Sequence, residues 1–119
     1  MTDATHLLAT RRSIPIPMLA APAPSDAELE RILTVAARVP DHGKLAPWRF
    51  ILYRGDPAAA IGRALAKLVT SREGERMTET RAKVETDRFT RAPLVVGVVS
   101  TAREHVKIPV WEQQLSGAA

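Results

Sequence analysis

Residues 94–99 read Leu94-Val95-Val96-Gly97-Val98-Val99, an apolar run with no charge in it. The run is short and dominated by β-branched valine, which predicts a strand rather than a helix. Odd and even positions are equally apolar, the pattern of a strand buried on both faces. Such a strand needs neighbours and cover. Upstream, Trp48-Arg49-Phe50-Ile51-Leu52-Tyr53 is rich in aromatic and β-favouring residues and predicts a second strand. No third segment is as convincing, and a two-stranded sheet is marginal alone. The chain has 119 residues, enough for one domain. Residues 1–119 therefore read as a single, partial domain that needs further strands or a partner chain to bury what it exposes.

Helical segments surround the two strands. Residues 3–12, with Leu7 and Leu8, predict a short helix ended by Ser13-Ile14-Pro15. Pro15, Pro17, Pro22 and Pro24 forbid regular helix through residue 24. Ser25-Asp26-Ala27-Glu28 is a capping box, followed by Leu29, Ile32, Leu33 and Ala36 on one helical face up to Pro40. Asp56 and Pro57 suit the N-cap and first turn of a helix whose buried stripe is Ile61, Leu65, Leu68 and Val69. Residues 71–91 are charged and weakly patterned, predicting a mostly exposed helix with Met77, Val84 and Phe89 as anchors. Residues 112–119 also read as helix.

Composition narrows the chemistry. Apolar residues make up 45% of the chain and charged ones 25%, ordinary for a globular protein. With no cysteine, a disulfide framework, thiolate-bound zinc, iron–sulfur clusters and a cysteine nucleophile are excluded. Seventeen Lys and Arg against thirteen Asp and Glu give +4, and thirteen of the seventeen are Arg. Guanidinium is the always-charged, planar group suited to phosphate, so anionic partners are expected. The amino end lacks a basic region before an apolar core, and no apolar run approaches the ~20 residues of a membrane span. A cytoplasmic protein without membrane association is the expectation.

Three clusters can do chemistry. Arg11-Arg12-Ser13, stiffened by Pro15, can grip a phosphate, or can be a solvated helix end. Arg38-Val39-Pro40-Asp41-His42-Gly43-Lys44 can hold an anionic or carbonyl oxygen, or can be a polar turn. Trp48 can stack on a planar ring, or can anchor the core. His6, His42 and His105 share no metal-ligand spacing, so no metal is expected. No nucleophile elbow, dinucleotide fingerprint or P-loop occurs. Residues 63–91 interleave eight Lys or Arg with five acids, a solvated face rather than a nucleic-acid patch.

In order along the chain, Leu7-Leu8-x-x-Arg11-Arg12-Ser13, Glu28-Leu29-x-x-Ile32-Leu33, Arg38-x-Pro40-Asp41-His42 and Pro47-Trp48-Arg49-Phe50 together resemble the nitroreductase family of FMN-dependent oxidoreductases. Arg91-Ala92-Pro93-Leu94 and Lys107-Ile108-Pro109-Val110-Trp111-Glu112-Gln113 continue the match, which looks most like the small branch of NAD(P)H nitroreductases. The resemblance implies an α+β fold, a mixed sheet flanked by helices, in a homodimer with the flavin at the interface. It places the FMN phosphate and ribityl chain on Arg11, Arg12 and Ser13. Arg38 and His42 would contact the flavin bound mainly by the other subunit. Hydride would pass from NAD(P)H through the flavin to a nitroaromatic, quinone or similar acceptor. The flavin carries that chemistry, so no side chain is assigned as catalytic.

Two departures stand out. Where the broader family often has Asn-x-Gln-Pro-Trp, this chain has Leu45-Ala46-Pro47-Trp48. The family also continues past Trp111-Glu112-Gln113 through an interface helix and a Gly-rich strand region that binds FMN, so the fold is expected to be incomplete at the C-terminus. The alternative is a non-catalytic remnant serving as a basic binding or interaction module.

Overall fold

The computed structural model describes residues 3–119. Its elements run α1 (Ala4–Thr10), α2 (Asp26–Ala36), β1 (Trp48–Tyr53), α3 (Gly55–Glu73), α4 (Glu79–Thr86), β2 (Val95–Ser100) and α5 (Val110–Ala118), with single 3-10 turns at Ile16–Met18, His42–Lys44 and Gly74–Arg76. This is the expected α+β class.

Local chemistry sets most boundaries. The Asp3 carboxylate accepts from the Thr5 amide and opens α1. The capping box at α2 is complete. Ser25 Oγ accepts from the Glu28 amide at 3.3 Å, and Glu28 Oε2 accepts from the Ser25 amide at 2.8 Å. The Thr78 hydroxyl accepts from the Arg81 amide and opens α4. Helix α3 starts earlier than Asp56 predicts: Gly55, at φ +62°, turns the chain out of β1, Arg54 is the N-cap and Asp56 falls in the first turn.

β1 and β2 pair antiparallel, with Trp48 opposite Ser100, Ile51 opposite Gly97 and Tyr53 opposite Val95. Gly97 leaves room for the ring of Tyr53, which a Cβ there would press. Tyr53 stacks on Phe89 with centroids 4.4 Å apart, anchoring the turn after α4 to the sheet. The expected burial of β2 on both faces is not met. β1 is its one partner among the described residues, Val98 is 54% exposed, and the other valines are half-buried.

Two expectations about the helices between the strands also change. Residues 71–91 do not form one helix. Gly74, at φ +55°, ends α3, and α4 folds back along it. Nor does α3 bury the stripe of Ile61, Leu65, Leu68 and Val69. Ile61 and Leu68 lie exposed, and the buried residues are Ala58, Gly62 and Ala66. The partner of α3 is a short polar helix, and small residues every fourth position let the two backbones approach closely. A Cβ on Gly62 would land on the carbonyl oxygen of Thr86.

The molecule is open. Its radius of gyration is 17.8 Å, against about 13–14 Å for a compact chain of this length. It exposes 9456 Å², about half as much again as a folded monomer of its mass. Among the described residues the buried apolar side chains are Leu29, Pro47, Ala58, Ala66 and Ile108, while Leu8, Met18, Val35, Val106, Trp111 and Leu115 are well exposed.

Candidate functional site

The chain leaves α1 at Arg11 in extended geometry, after the Arg11 amide closes the last turn on the Leu7 carbonyl. Arg11, Arg12 and Ser13 are all exposed. Arg12 Nη1 donates to the Arg11 carbonyl at 3.0 Å, which folds that side chain back along its own backbone. Neither guanidinium meets a carboxylate among the described residues. Among the described residues, residues 3–21 hydrogen-bond only with one another.

The second cluster is built on a tight turn. The Asp41 carboxylate accepts from the Ala46 amide at 2.7 Å, and its carbonyl accepts from the Lys44 amide at 3.2 Å. Gly43, Lys44 and Ala46 all take positive φ (+75°, +53° and +45°). For Lys44 and Ala46 that conformation is strained, and the Asp41 bonds hold it in place. His42 is thereby turned toward α5, where its Nδ1 lies 2.6 Å from Glu112 Oε1. Pro40, Asp41, His42, Glu112, Leu115 and Ser116 line an open depression of about 570 Å³. Arg38, just past α2, is exposed and unpaired among the described residues.

The structure thus brings His42 to Glu112, a residue 70 positions away to which the sequence assigned no role. Within one chain, no hydrogen bond or ion pair among the described residues joins Arg11, Arg12 and Ser13 to Arg38 or His42. Trp48 is half-buried and lines a hollow with Ala36, Val39, Phe50, Val98 and the end of α5. It packs as an anchor of the sheet. No group of three or more His, Asp or Glu that could hold a metal occurs among the described residues.

Two carboxylates elsewhere titrate below the usual range. Hydrogen bonds from the Ser25 hydroxyl and amide depress the Glu28 carboxyl. Glu85 is 4% exposed, and its carboxyl is depressed chiefly by the Arg88 hydrogen bonds, aided by the charges of Arg88 and Arg81 against the opposing effect of burial. Both are structural ion or cap contacts away from the two clusters.

Comparison with known proteins adds the lineage of this arrangement. A model of the nitroreductase family matches residues 8–119. A protein of Haemophilus influenzae named "Putative NAD(P)H nitroreductase" is 41% identical over 115 residues, covering 96% of this chain and 60% of that protein. The Escherichia coli K12 protein named "Putative NAD(P)H nitroreductase YdjA" is 33% identical over 114 residues, with the same shares. A crystal structure of a nitroreductase-like family protein from Bacillus cereus superposes with a TM-score of 0.72 over 99% of this chain and 59% of that one, at 22% identity. The chain therefore spans about 60% of the length of the curated relatives it matches. Among the described residues no helix is long and apolar enough to cross a membrane.

Proposed function

Because the chain belongs to the nitroreductase family, we propose that it forms part of an FMN-dependent oxidoreductase that uses NAD(P)H to reduce nitroaromatic, quinone or similar acceptors. In this reading residues 1–119 belong to one nitroreductase-like domain, which works as a homodimer in the cytoplasm.

The observation that carries the reading is the state of Arg11 and Arg12. Two exposed guanidinium groups without a carboxylate partner among the described residues, followed by the Ser13 hydroxyl, make a donor set that fits a phosphate monoester. Arg11, Arg12 and Ser13 hold the FMN phosphate and ribityl chain. Bound FMN supplies the hydride relay between nicotinamide and acceptor. Arg38 and His42 face the flavin of the second protomer, which accounts for the lack, among the described residues, of a hydrogen bond or ion pair joining them to Arg11. Glu112 accepts from His42 Nδ1, leaving Nε2 as the ring atom that meets the ligand.

The test is an absorbance spectrum of the purified protein before and after FMN is added and desalted away. Retained flavin absorbance supports the reading. Arg11→Ala or Arg12→Ala removes a charge-assisted bond of ~1.5–3 kcal/mol, so FMN affinity falls about ten- to a hundredfold. Colourless protein that takes up no FMN, alone or as a dimer, defeats the reading.

A further inference from the structure

The loop between β2 and α5, residues 101–109, is held more firmly than a solvent-facing connector requires. Gln113 of α5 is 3% exposed, and its amide makes three bonds to that loop's backbone. Gln113 Oε1 accepts from the Arg103 amide at 3.2 Å, and Nε2 donates to the carbonyls of Arg103 at 2.8 Å and Ile108 at 3.1 Å. His105 adds a second clamp. Its Nδ1 accepts from the amides of Lys107 and Ile108, each at 3.2 Å. A ring nitrogen that accepts two N–H groups carries no proton, so the imidazole proton sits on Nε2, which becomes a donor with no partner among the described residues.

Thr101, Arg103 and His105, with Leu45, Pro47 and Gln113, line a cavity of about 220 Å³. Arg103 has no ion pair among the described residues. Glu104 and Lys107, the other charged residues of the loop, are exposed and do not line it. The lining residues carry a guanidinium, an imidazole N–H and a hydroxyl, while both N–H groups of the Gln113 amide are already engaged. All three can donate, and no carboxylate competes. The space exceeds the ~30 Å³ share of one water and falls below the ~300–1,000 Å³ of a site for a whole drug-sized ligand. It suits one anionic group of a larger molecule.

We infer that Arg103, His105 and Thr101 form a subsite for a single carboxylate or phosphoryl group, separate from the Arg11-Arg12-Ser13 cluster. Arginine's fork matches either group, and both clamps fix the loop before the ligand arrives. The inference does not require bound flavin.

Amide and imidazole NMR signals of the full chain, titrated with inorganic phosphate and separately with acetate, test it. Saturable shifts concentrated in residues 101–108 and at His105 Nε2 are expected, with the tighter of the two anions assigning phosphoryl or carboxylate. Arg103→Gln weakens that binding at least tenfold with the remaining spectrum unchanged, Arg103→Lys falls between, and Arg11→Ala leaves it intact. Absence of saturation with both anions, equal shifts from chloride at matched ionic strength, or wild-type binding by Arg103→Gln overturns the inference. Failure of FMN uptake bears only on the flavin reading, since no arm of this titration contains flavin.

Discussion

His42 Nδ1 and Glu112 Oε1 stand 2.6 Å apart, joining the turn before β1 to the first turn of α5. The pair is partly open to solvent, with side-chain exposures of 62% and 32%. Its value to stability is therefore that of an exposed pair, ~0.2–1 kcal/mol. Its larger effect is on the ring. A carboxylate on Nδ1 selects one tautomer and one orientation of the imidazole. Glu112→Ala should lower stability by less than about 1 kcal/mol while mixing the two tautomers in the imidazole nitrogen spectrum. Glu112→Gln keeps an acceptor oxygen and should restore the wild-type pattern in part. An unchanged nitrogen spectrum in Glu112→Ala would show that the contact does not orient the ring.

Gly62 of α3 packs directly against the backbone at the end of α4. An alanine there places its Cβ on the carbonyl oxygen of Thr86, which is backbone and cannot swing aside. The helices must separate, and Gly62→Ala should cost about 1–3 kcal/mol despite alanine's better helix propensity. Ile61→Ala, on the 42% exposed neighbouring position, should cost less. Denaturant unfolding of the two variants checks the order, and a reversal would mean that α3 packs through its large apolar stripe instead.

Much of the secondary structure was legible because it is written locally. The Ser25 and Glu28 box, the prolines between residues 15 and 24, and the run at Trp48–Tyr53 act over four to six residues, and each appears where expected. What was not legible depends on partners distant in sequence. Periodicity shows that Ile61, Leu65, Leu68 and Val69 form a stripe, but not that α4 meets the adjoining, small-residue face. Gly74 breaks the charged segment through a positive φ that composition does not announce. At the candidate site, Arg11, Arg12, Ser13, Arg38 and His42 were nominated from the sequence. Glu112, Gln113 and Arg103 were not, since no local pattern marks a contact 70 residues away or an amide that clamps a loop.

The capping box makes a separate, pH-dependent prediction. Ser25→Ala removes the side-chain cap and should destabilise the protein by about 0.5–2 kcal/mol near neutral pH. The Glu28 carboxyl is held below its ordinary value of 4.5 by the Ser25 hydroxyl and amide. A depressed carboxylate contributes stability that is fully present above its unfolded value and lost as pH falls through the folded one. The difference between Ser25→Ala and wild type should therefore be largest above pH 4.5 and shrink below it. Urea midpoints measured on both sides of that value decide the matter, and a pH-independent difference would remove Glu28 from the cap.

Glu85 gives the helical hairpin a carboxylate that titrates below its ordinary range. It is buried on α4 with Oε2 2.7 Å from Arg88 Nε, Oε1 2.8 Å from Arg88 Nη2 and Oε1 3.3 Å from Arg81 Nε. The bidentate Arg88 contact is the main reason its carboxyl titrates below 4.5, with burial acting in the opposite direction. Above that value the charged network is intact. As pH falls through the lower, folded value, protonation of one oxygen breaks the two-pronged fork and leaves a neutral acid beside two guanidinium groups. Glu85→Gln keeps the size and one acceptor oxygen but does not titrate, so it should lower stability at pH 7 and flatten the loss of stability below 4.5. Arg88→Lys, which keeps the charge without the fork, should fall between wild type and Glu85→Gln at pH 7 and retain a weaker acid dependence. Acid unfolding of α3 and α4 followed by helical circular dichroism distinguishes these outcomes, and identical acid profiles for wild type and Glu85→Gln would place the acid-sensitive group elsewhere.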